Sequence, residues 1–135
     1  AAGRFDIDGS MDLVAALSDG RLVLLYNNGS GSLTAASPIR IGTQTAALAT
    51  GDIDGDGQSD IVAANAGNGG NEGPGLSVLQ STSAARWQTD FTYPLSGVPT
   101  ALRIGDLDGD GKADLVVTVQ ETAGAALVVL YNTTP

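Results

Sequence analysis

The chain has 135 residues, a length typical of one domain, and its 19 glycines and 16% charged residues suit short strands and turns more than long helices. Its net charge of −9 argues against a nucleic-acid-binding face, the absence of cysteine excludes disulfides, and no apolar run approaches the ~18 residues of a membrane span. Three, four and four of the fifteen acidic residues fall in residues 6–12, 52–60 and 106–114, so the acidity belongs to three short segments.

Three repeats follow one another along the chain, at residues 1–45, 46–98 and 99–135. In each repeat an acidic loop is followed by short apolar and β-branched runs bounded by Gly, Asn and Asp, which is the signature of β-strands. No long segment with helical periodicity competes with this pattern. The predicted strands are residues 13–17, 22–26 and 33–41 in the first repeat, 45–49, 61–64, 76–80 and 87–93 in the second, and 100–104, 115–119 and 127–131 in the third.

A repeat of about 40–50 residues with four strands is typical of a β-propeller blade. We therefore predict an all-β fold built of propeller-type blades of four antiparallel strands, with two complete repeats and one incomplete repeat. Residues 1–2 look too short to form the strand before the first loop, and no fourth strand follows residues 127–131. Because propellers close with about 4–8 blades, we expect either further repeats or identical copies of the chain to cover the open ends.

The second and third loops align without a gap. Residues 51–61 read GDIDGDGQSDI and residues 105–115 read GDLDGDGKADL, while residues 3–13 fit the same frame with Arg4 in place of the first Asp. Residues 48–64 and 101–119 resemble the FG-GAP/VCBS repeats of integrin α-subunit propellers and of many bacterial surface and secreted proteins. Residues 76–79 and 127–130 are similar to the third strand of that family. The resemblance implies calcium-binding blades and an extracellular or cell-surface location.

Calcium is a hard cation that takes six to eight oxygen ligands, and carboxylates at alternating loop positions point inward together. An all-oxygen set disfavours zinc or copper. An EF-hand is excluded because position 12 of the loop is Ala63 or Val117 within an apolar strand. The predicted Ca²⁺ ligands are Asp52, Asp54, Asp56, Asp60 and the backbone carbonyl of Gln58 in the second loop, and Asp106, Asp108, Asp110, Asp114 and the backbone carbonyl of Lys112 in the third.

Arg4 sets the first loop apart, because a guanidinium stands where a carboxylate would bind the ion. Asp6, Asp8 and Asp12 are left as candidate ligands. We expect Arg4 to pair with these carboxylates and replace the ion. A weak third calcium site is the alternative.

These features favour a calcium-binding extracellular module that presents its connections, above all residues 65–75, to a glycan or protein. A propeller portion of a polysaccharide-degrading enzyme is the alternative. We expect no catalysis, because the chain lacks His and Cys and only Glu72 and Glu121 lie in the connections as candidate acids. Assembly of identical copies into a homo-oligomer or filament, through strand pairing at both ends of the chain, is a third hypothesis.

Trp87, Phe91 and Tyr93 alternate along the predicted fourth strand of the second repeat. Simple alternation places all three on one face of the sheet. We expect that face to be core between blades rather than a platform for sugars.

Overall fold

The computed structural model describes residues 1–68, 73–82 and 86–133. Within these residues the chain forms twelve strands and no helix, and the strands make three antiparallel sheets that follow one another in sequence. The predicted all-β, propeller-type fold is therefore confirmed. The described residues contain no helix that could span a membrane.

The first sheet has five strands in place of the expected four. Its first four strands pair in chain order, and the fifth pairs with the other end of the third. Pro38 lies between the fourth and fifth strands, and a proline cannot donate a hydrogen bond to the ladder, so the predicted strand at residues 33–41 forms as two pieces. The strands are β1 (Ala2–Gly3), β2 (Asp12–Ala16), β3 (Arg21–Asn27), β4 (Leu33–Ala35) and β5 (Ile39–Arg40).

The expectation that residues 1–2 cannot supply a first strand is wrong. Ala2 and Gly3 pair with Leu13 and Asp12. The terminal amino group of Ala1 donates to the carbonyl of Val14 at 2.9 Å, and the amide of Val14 donates to the carbonyl of Ala1 at 2.9 Å. So short a strand holds because Ala1, directly before it, exchanges two backbone hydrogen bonds with Val14 of β2.

The second and third sheets are up-and-down meanders, with the acidic loop between their first and second strands. In the part of the chain that the structure describes, the last strand of the third sheet pairs with one neighbour. The three sheets have five, four and three strands among the described residues. The strands are β6 (Thr45–Gly51), β7 (Asp60–Asn65), β8 (Gly75–Thr82), β9 (Arg86–Pro94), β10 (Val98–Gly105), β11 (Asp114–Glu121) and β12 (Gly124–Leu130).

The three sheets stack face to face, with the second sheet in the middle. Side chains alternate across a strand, so the second sheet contributes one set of buried residues to each side. We call its contact with the first sheet the first interface and its contact with the third sheet the second interface. The first interface contains Phe5, Val14, Leu22, Leu24, Ile61, Ala63 and Leu79, and the second contains Val62, Ala64, Leu76, Val78, Leu102, Leu115, Val117 and Val119.

A β-bulge in β9 overturns the prediction that its aromatic residues share one face. The register between β8 and β9 shifts between Val78 and Leu79. Trp87 therefore packs in the first interface, whereas Tyr93 pairs with Leu76 of the second. The side chain of Phe91 lies outside the described residues. An extra residue in one strand reverses the alternation beyond it, and the spacing of aromatic residues carries no sign of that.

Candidate metal centre

Each acidic loop connects the first and second strands of its sheet and turns on a left-handed glycine. Gly9, Gly57 and Gly111 occupy the same loop position, with φ of 79°, 85° and 87°. Residues with a Cβ rarely adopt this conformation, so glycine is what lets the loop curl back on itself. The second and third loops have another such glycine two residues earlier, where the first loop has Ile7 without a positive φ.

The second loop brings three carboxylates together. One oxygen from each of Asp52, Asp54 and Asp56 lies within 4.8 Å of the others. The carboxylate of Asp52 accepts hydrogen bonds from the amides of Gly55 at 2.7 Å and Gly57 at 2.9 Å. Asp54 accepts one from the amide of Asp56 at 3.2 Å. These backbone bonds hold the carboxylates in place.

The third loop forms a similar cluster from a different trio. Ligand oxygens of Asp106, Asp108 and Asp114 lie within 4.8 Å of one another. The carboxylate of Asp106 accepts from the amides of Gly109 at 2.7 Å and Gly111 at 3.0 Å, as Asp52 does in the second loop. The two loops therefore share one backbone frame, although the carboxylates they gather differ at one position.

Asp110 is not part of that trio and lies beside Lys112. Its Oδ1 accepts from the amide of Lys112 at 2.9 Å, and its Oδ2 lies 3.8 Å from the Lys112 Nζ. In the second loop Gln58 takes the place of the lysine and donates from Nε2 to Asp56 Oδ2 at 3.3 Å. The Gln58 Oε1 is buried and has no hydrogen-bond partner among the described residues. This orphaned oxygen beside the acidic cluster suits a cation.

The aspartates that close the loops have a role that the sequence did not indicate. Asp12, Asp60 and Asp114 are at most 1% exposed, and each accepts two backbone hydrogen bonds. One oxygen binds the start of the loop and the other binds the end of the third strand, so the carboxylate ties the loop to its sheet. The donors to Oδ2 are the amides of Phe5, Ile53 and Leu107 at 2.8–2.9 Å, and the donors to Oδ1 are the amides of Asn27, Ser81 and Asn132 at 2.8–2.9 Å.

The closing aspartates of the second and third loops differ in acidity. Burial raises the pKa of Asp60 to about 6, against the opposing effect of its two backbone hydrogen bonds, and the charges of Asp54 and Asp56 raise it further. The hydrogen bonds from the amides of Asn132 and Leu107 lower the pKa of Asp114. The second sheet is covered on both faces and the third on one, which accounts for the stronger effect of burial at Asp60.

The first loop gathers no such cluster from Asp6, Asp8 and Asp12, all of which lie in the described part of the chain. The predicted pairing of Arg4 with these carboxylates is also wrong, since the ion pairs found among the described residues are Arg21 with Asp19 and Lys112 with Asp110. The Arg4 side chain is exposed, where an ion pair is worth little.

The backbone of Arg4 joins the first two loops. Its amide donates to Ser59 Oγ at 3.1 Å, and its carbonyl accepts from the amide of Ser59 at 3.0 Å. The side chain of Asn132 makes the corresponding link across the second interface, donating to the carbonyl of Ile53 at 2.8 Å. The first two acidic loops are therefore hydrogen-bonded to each other, and the second is hydrogen-bonded to the residues that follow the last strand of the third sheet.

The other candidate residues lie apart from the acidic loops. Glu121 accepts a hydrogen bond from Ser96 Oγ at 2.5 Å, and Glu72 lies outside the described residues. A cavity of 610 Å³ lies between the first and second sheets beside the connection at residues 65–75, of which residues 69–72 are outside the description. Asn65 in its wall is already hydrogen-bonded to Thr45 and Ser77.

A sequence profile described as an FG-GAP-like repeat matches the chain twice, over residues 4–63 and 52–117. Each match begins at the first position of an acidic loop and ends in the strand that follows the next acidic loop. Together the two matches cover residues 4–117. No curated protein sequence gives a significant match to the chain.

Proposed function

The chain belongs to the FG-GAP-like repeat family, and on that basis we propose that it is an extracellular propeller module stabilised by two calcium ions. The observation that carries the proposal is that the second and third loops each place three carboxylate oxygens within 4.8 Å of one another. Without a cation, so many negative charges repel at close range.

The donor set fits a hard cation. All of the predicted side-chain ligands are carboxylate oxygens, which suit calcium, magnesium or manganese rather than metals that prefer nitrogen or sulfur. Asp52, Asp54 and Asp56 would hold the ion in the second loop, with the buried Gln58 Oε1 or the Gln58 carbonyl as a further oxygen. Calcium accepts six to eight oxygens in flexible geometry, which suits a loop of this kind better than magnesium's strict octahedron.

The third loop would use Asp106, Asp108 and Asp114, with Asp110 and the Lys112 carbonyl as further oxygens. Asp114 also bonds to the amide of Asn132 beyond the third strand. An ion in this loop would therefore stabilise the whole blade as well as the loop. We propose a structural role for the ions for this reason.

An extracellular location follows from the proposed affinity. Sites in extracellular modules bind calcium with dissociation constants as weak as ~10⁻⁴–10⁻³ M, so they fill only where calcium is abundant. The connections between the second and third strands differ in length from blade to blade, at residues 17–20, 66–74 and 122–123. We propose that these connections present the module to a glycan or protein partner.

Calorimetric titration of the chelator-treated chain with CaCl₂ tests the metal proposal. We expect two ions per chain, one ion in either Asp52→Asn or Asp106→Asn, and none in the double variant. Asp8→Asn in the first loop is the matched control and should still bind two ions. A wild-type stoichiometry of zero, or two ions retained by the double variant, would contradict the proposal.

A further inference from the structure

Equivalent positions of the three loops have very different exposures. Phe5 is fully buried in the first interface, where its ring meets that of Trp87 edge to face with centroids 5.6 Å apart. Ile53, at the same loop position, packs against the second interface. Leu107, again at this position, is 50% exposed. The third sheet therefore presents an apolar residue where the other two sheets meet a neighbour.

The third strands of the three sheets show the same difference in exposure. Leu22 and Leu76 are fully buried in the first and second interfaces, whereas Leu127 at the equivalent register position is 62% exposed. Leu127 pairs with Thr118 on the face of the third sheet that points away from the second sheet. We call this face, with Leu107 and Leu127, the outer face of the third sheet.

The first sheet is open on its opposite side. Ile61 is fully buried and Leu115 is 5% exposed, because each lies on the face that receives the preceding sheet. Leu13 occupies the same position after the first loop and is 40% exposed. Leu13 pairs with Leu25, and together they define the outer face of the first sheet.

We propose that the outer face of the third sheet binds the outer face of the first sheet of a second copy of this chain. The two open faces are the two halves of a contact that the chain already makes twice, at its first and second interfaces. Because the three sheets are repeats, a second copy of the chain offers the third sheet the same kind of face that the second and third sheets offer their neighbours within the chain. The interface is heterologous, with Leu107 and Leu127 on one side and Leu13 on the other.

Two copies of three sheets make six, which lies within the range of about 4–8 blades that closes a propeller. In a closed dimer each copy buries both of its outer faces. The interface offers a polar contact as well. Asn27 and Asn132 lie at the ends of equivalent strands, and Asn132 bonds to Ile53 across the second interface. Asn27 Nδ2 donates one hydrogen to the Met11 carbonyl at 3.2 Å, and its second hydrogen would make the same bond to the carbonyl of the partner's Leu107.

Light scattering coupled to size-exclusion chromatography tests the proposal on the 135-residue chain. The wild type should elute at twice the 13.5 kDa chain mass. Leu13→Asp and Leu127→Asp should each lose dimer affinity on the order of a hundredfold or more, because each places a carboxylate in both interfaces of the ring. Ile7→Asp is the matched control, since Ile7 is 86% exposed in the first acidic loop and is not one of the residues that define either outer face.

Mixing the two variants separates this interface from other modes of dimerisation. Leu13→Asp retains an intact third-sheet face and Leu127→Asp retains an intact first-sheet face, so the mixture should form a heterodimer through one unaltered interface. Circular dichroism melts of the separate variants should match that of the wild type diluted below the dissociation constant of its dimer. A monomeric wild type, open chains of more than two copies, or a Leu13→Asp dimer as tight as the wild type would each overturn the proposal.

Discussion

At the scale of single residues, Asp12 accepts the same two backbone hydrogen bonds as Asp60 and Asp114, but its loop has no carboxylate cluster. A substitution at Asp12 therefore tests the structural role of a closing aspartate separately from metal binding. In Asp12→Asn one oxygen still accepts a bond, but the new NH₂ group faces the other amide. A buried unsatisfied amide costs about 1–3 kcal/mol. We expect the free energy of unfolding, measured with urea in chelator, to fall by that amount.

Asp8→Asn is the control for this change. Asp8 is exposed and accepts a hydrogen bond from the amide of Ser10, which the asparagine Oδ1 can still accept. Its urea midpoint should stay at the wild-type value. Equal midpoints for Asp12→Asn and the wild type would show that the closing carboxylate does not brace the loop.

Lys112 should set the difference in calcium affinity between the two loops. Its ammonium competes with a cation for Asp110, whereas the second loop carries neutral Gln58 at the same position. Because exposed ion pairs are worth at most about 1 kcal/mol, Lys112→Gln should tighten calcium binding at the third loop about two- to fivefold. Calorimetric titration of variants that also carry Asp52→Asn measures the calcium affinity of the third loop alone. Gln58→Lys should weaken the second loop, and an unchanged affinity in both variants would count against this explanation.

At the scale of the elements, the stacking of sheets depends on side chains that cross from one sheet to the next. Phe5 lies in a loop of the first sheet yet is fully buried against the second. Truncating a buried phenylalanine costs about 3–5 kcal/mol through lost burial and the cavity that remains. Phe5→Ala should lower the free energy of unfolding in urea by that amount.

Ile7→Ala tests whether the effect is specific to the contact between sheets. Ile7 lies in the same loop and is 86% exposed, so its truncation should change the unfolding free energy by less than about 0.5 kcal/mol. A Phe5→Ala loss no larger than that of Ile7→Ala would mean that the first and second sheets do not depend on this contact.

At the scale of the whole molecule, calcium should raise the stability of all three sheets together, because hydrogen bonds join the first loop to the second and the second loop to the end of the third sheet. Each filled site adds RT ln(1 + [Ca²⁺]/Kd), or about 2.7 kcal/mol at a hundredfold excess over Kd. We expect excess chelator to lower the melting temperature markedly. Asp52→Asn combined with Asp106→Asn should melt at the same temperature with and without calcium. A wild-type melt that chelator leaves unchanged would contradict this.

The sequence by itself determined the three repeats, most of the strands and the acidic loops. These features depend on residues close together in the chain. Gly57 and Gly111 take left-handed conformations within a nine-residue loop, so the spacing of the aspartates already places Asp52 and Asp106 near their neighbours. Local geometry of this kind can be predicted from spacing alone.

Only the tertiary structure decided the features that depend on distant partners. Asp60 binds the amide of Ser81, 21 residues away, and so acts as a brace in addition to being a candidate ligand. The bulge in β9 places Trp87 and Tyr93 on opposite faces of the sheet. Such a bulge depends on how the strand fits its neighbour. Leu127 is exposed although Leu76 is buried at the same repeat position. Burial depends on what packs against a face, which the residues of a single repeat do not encode.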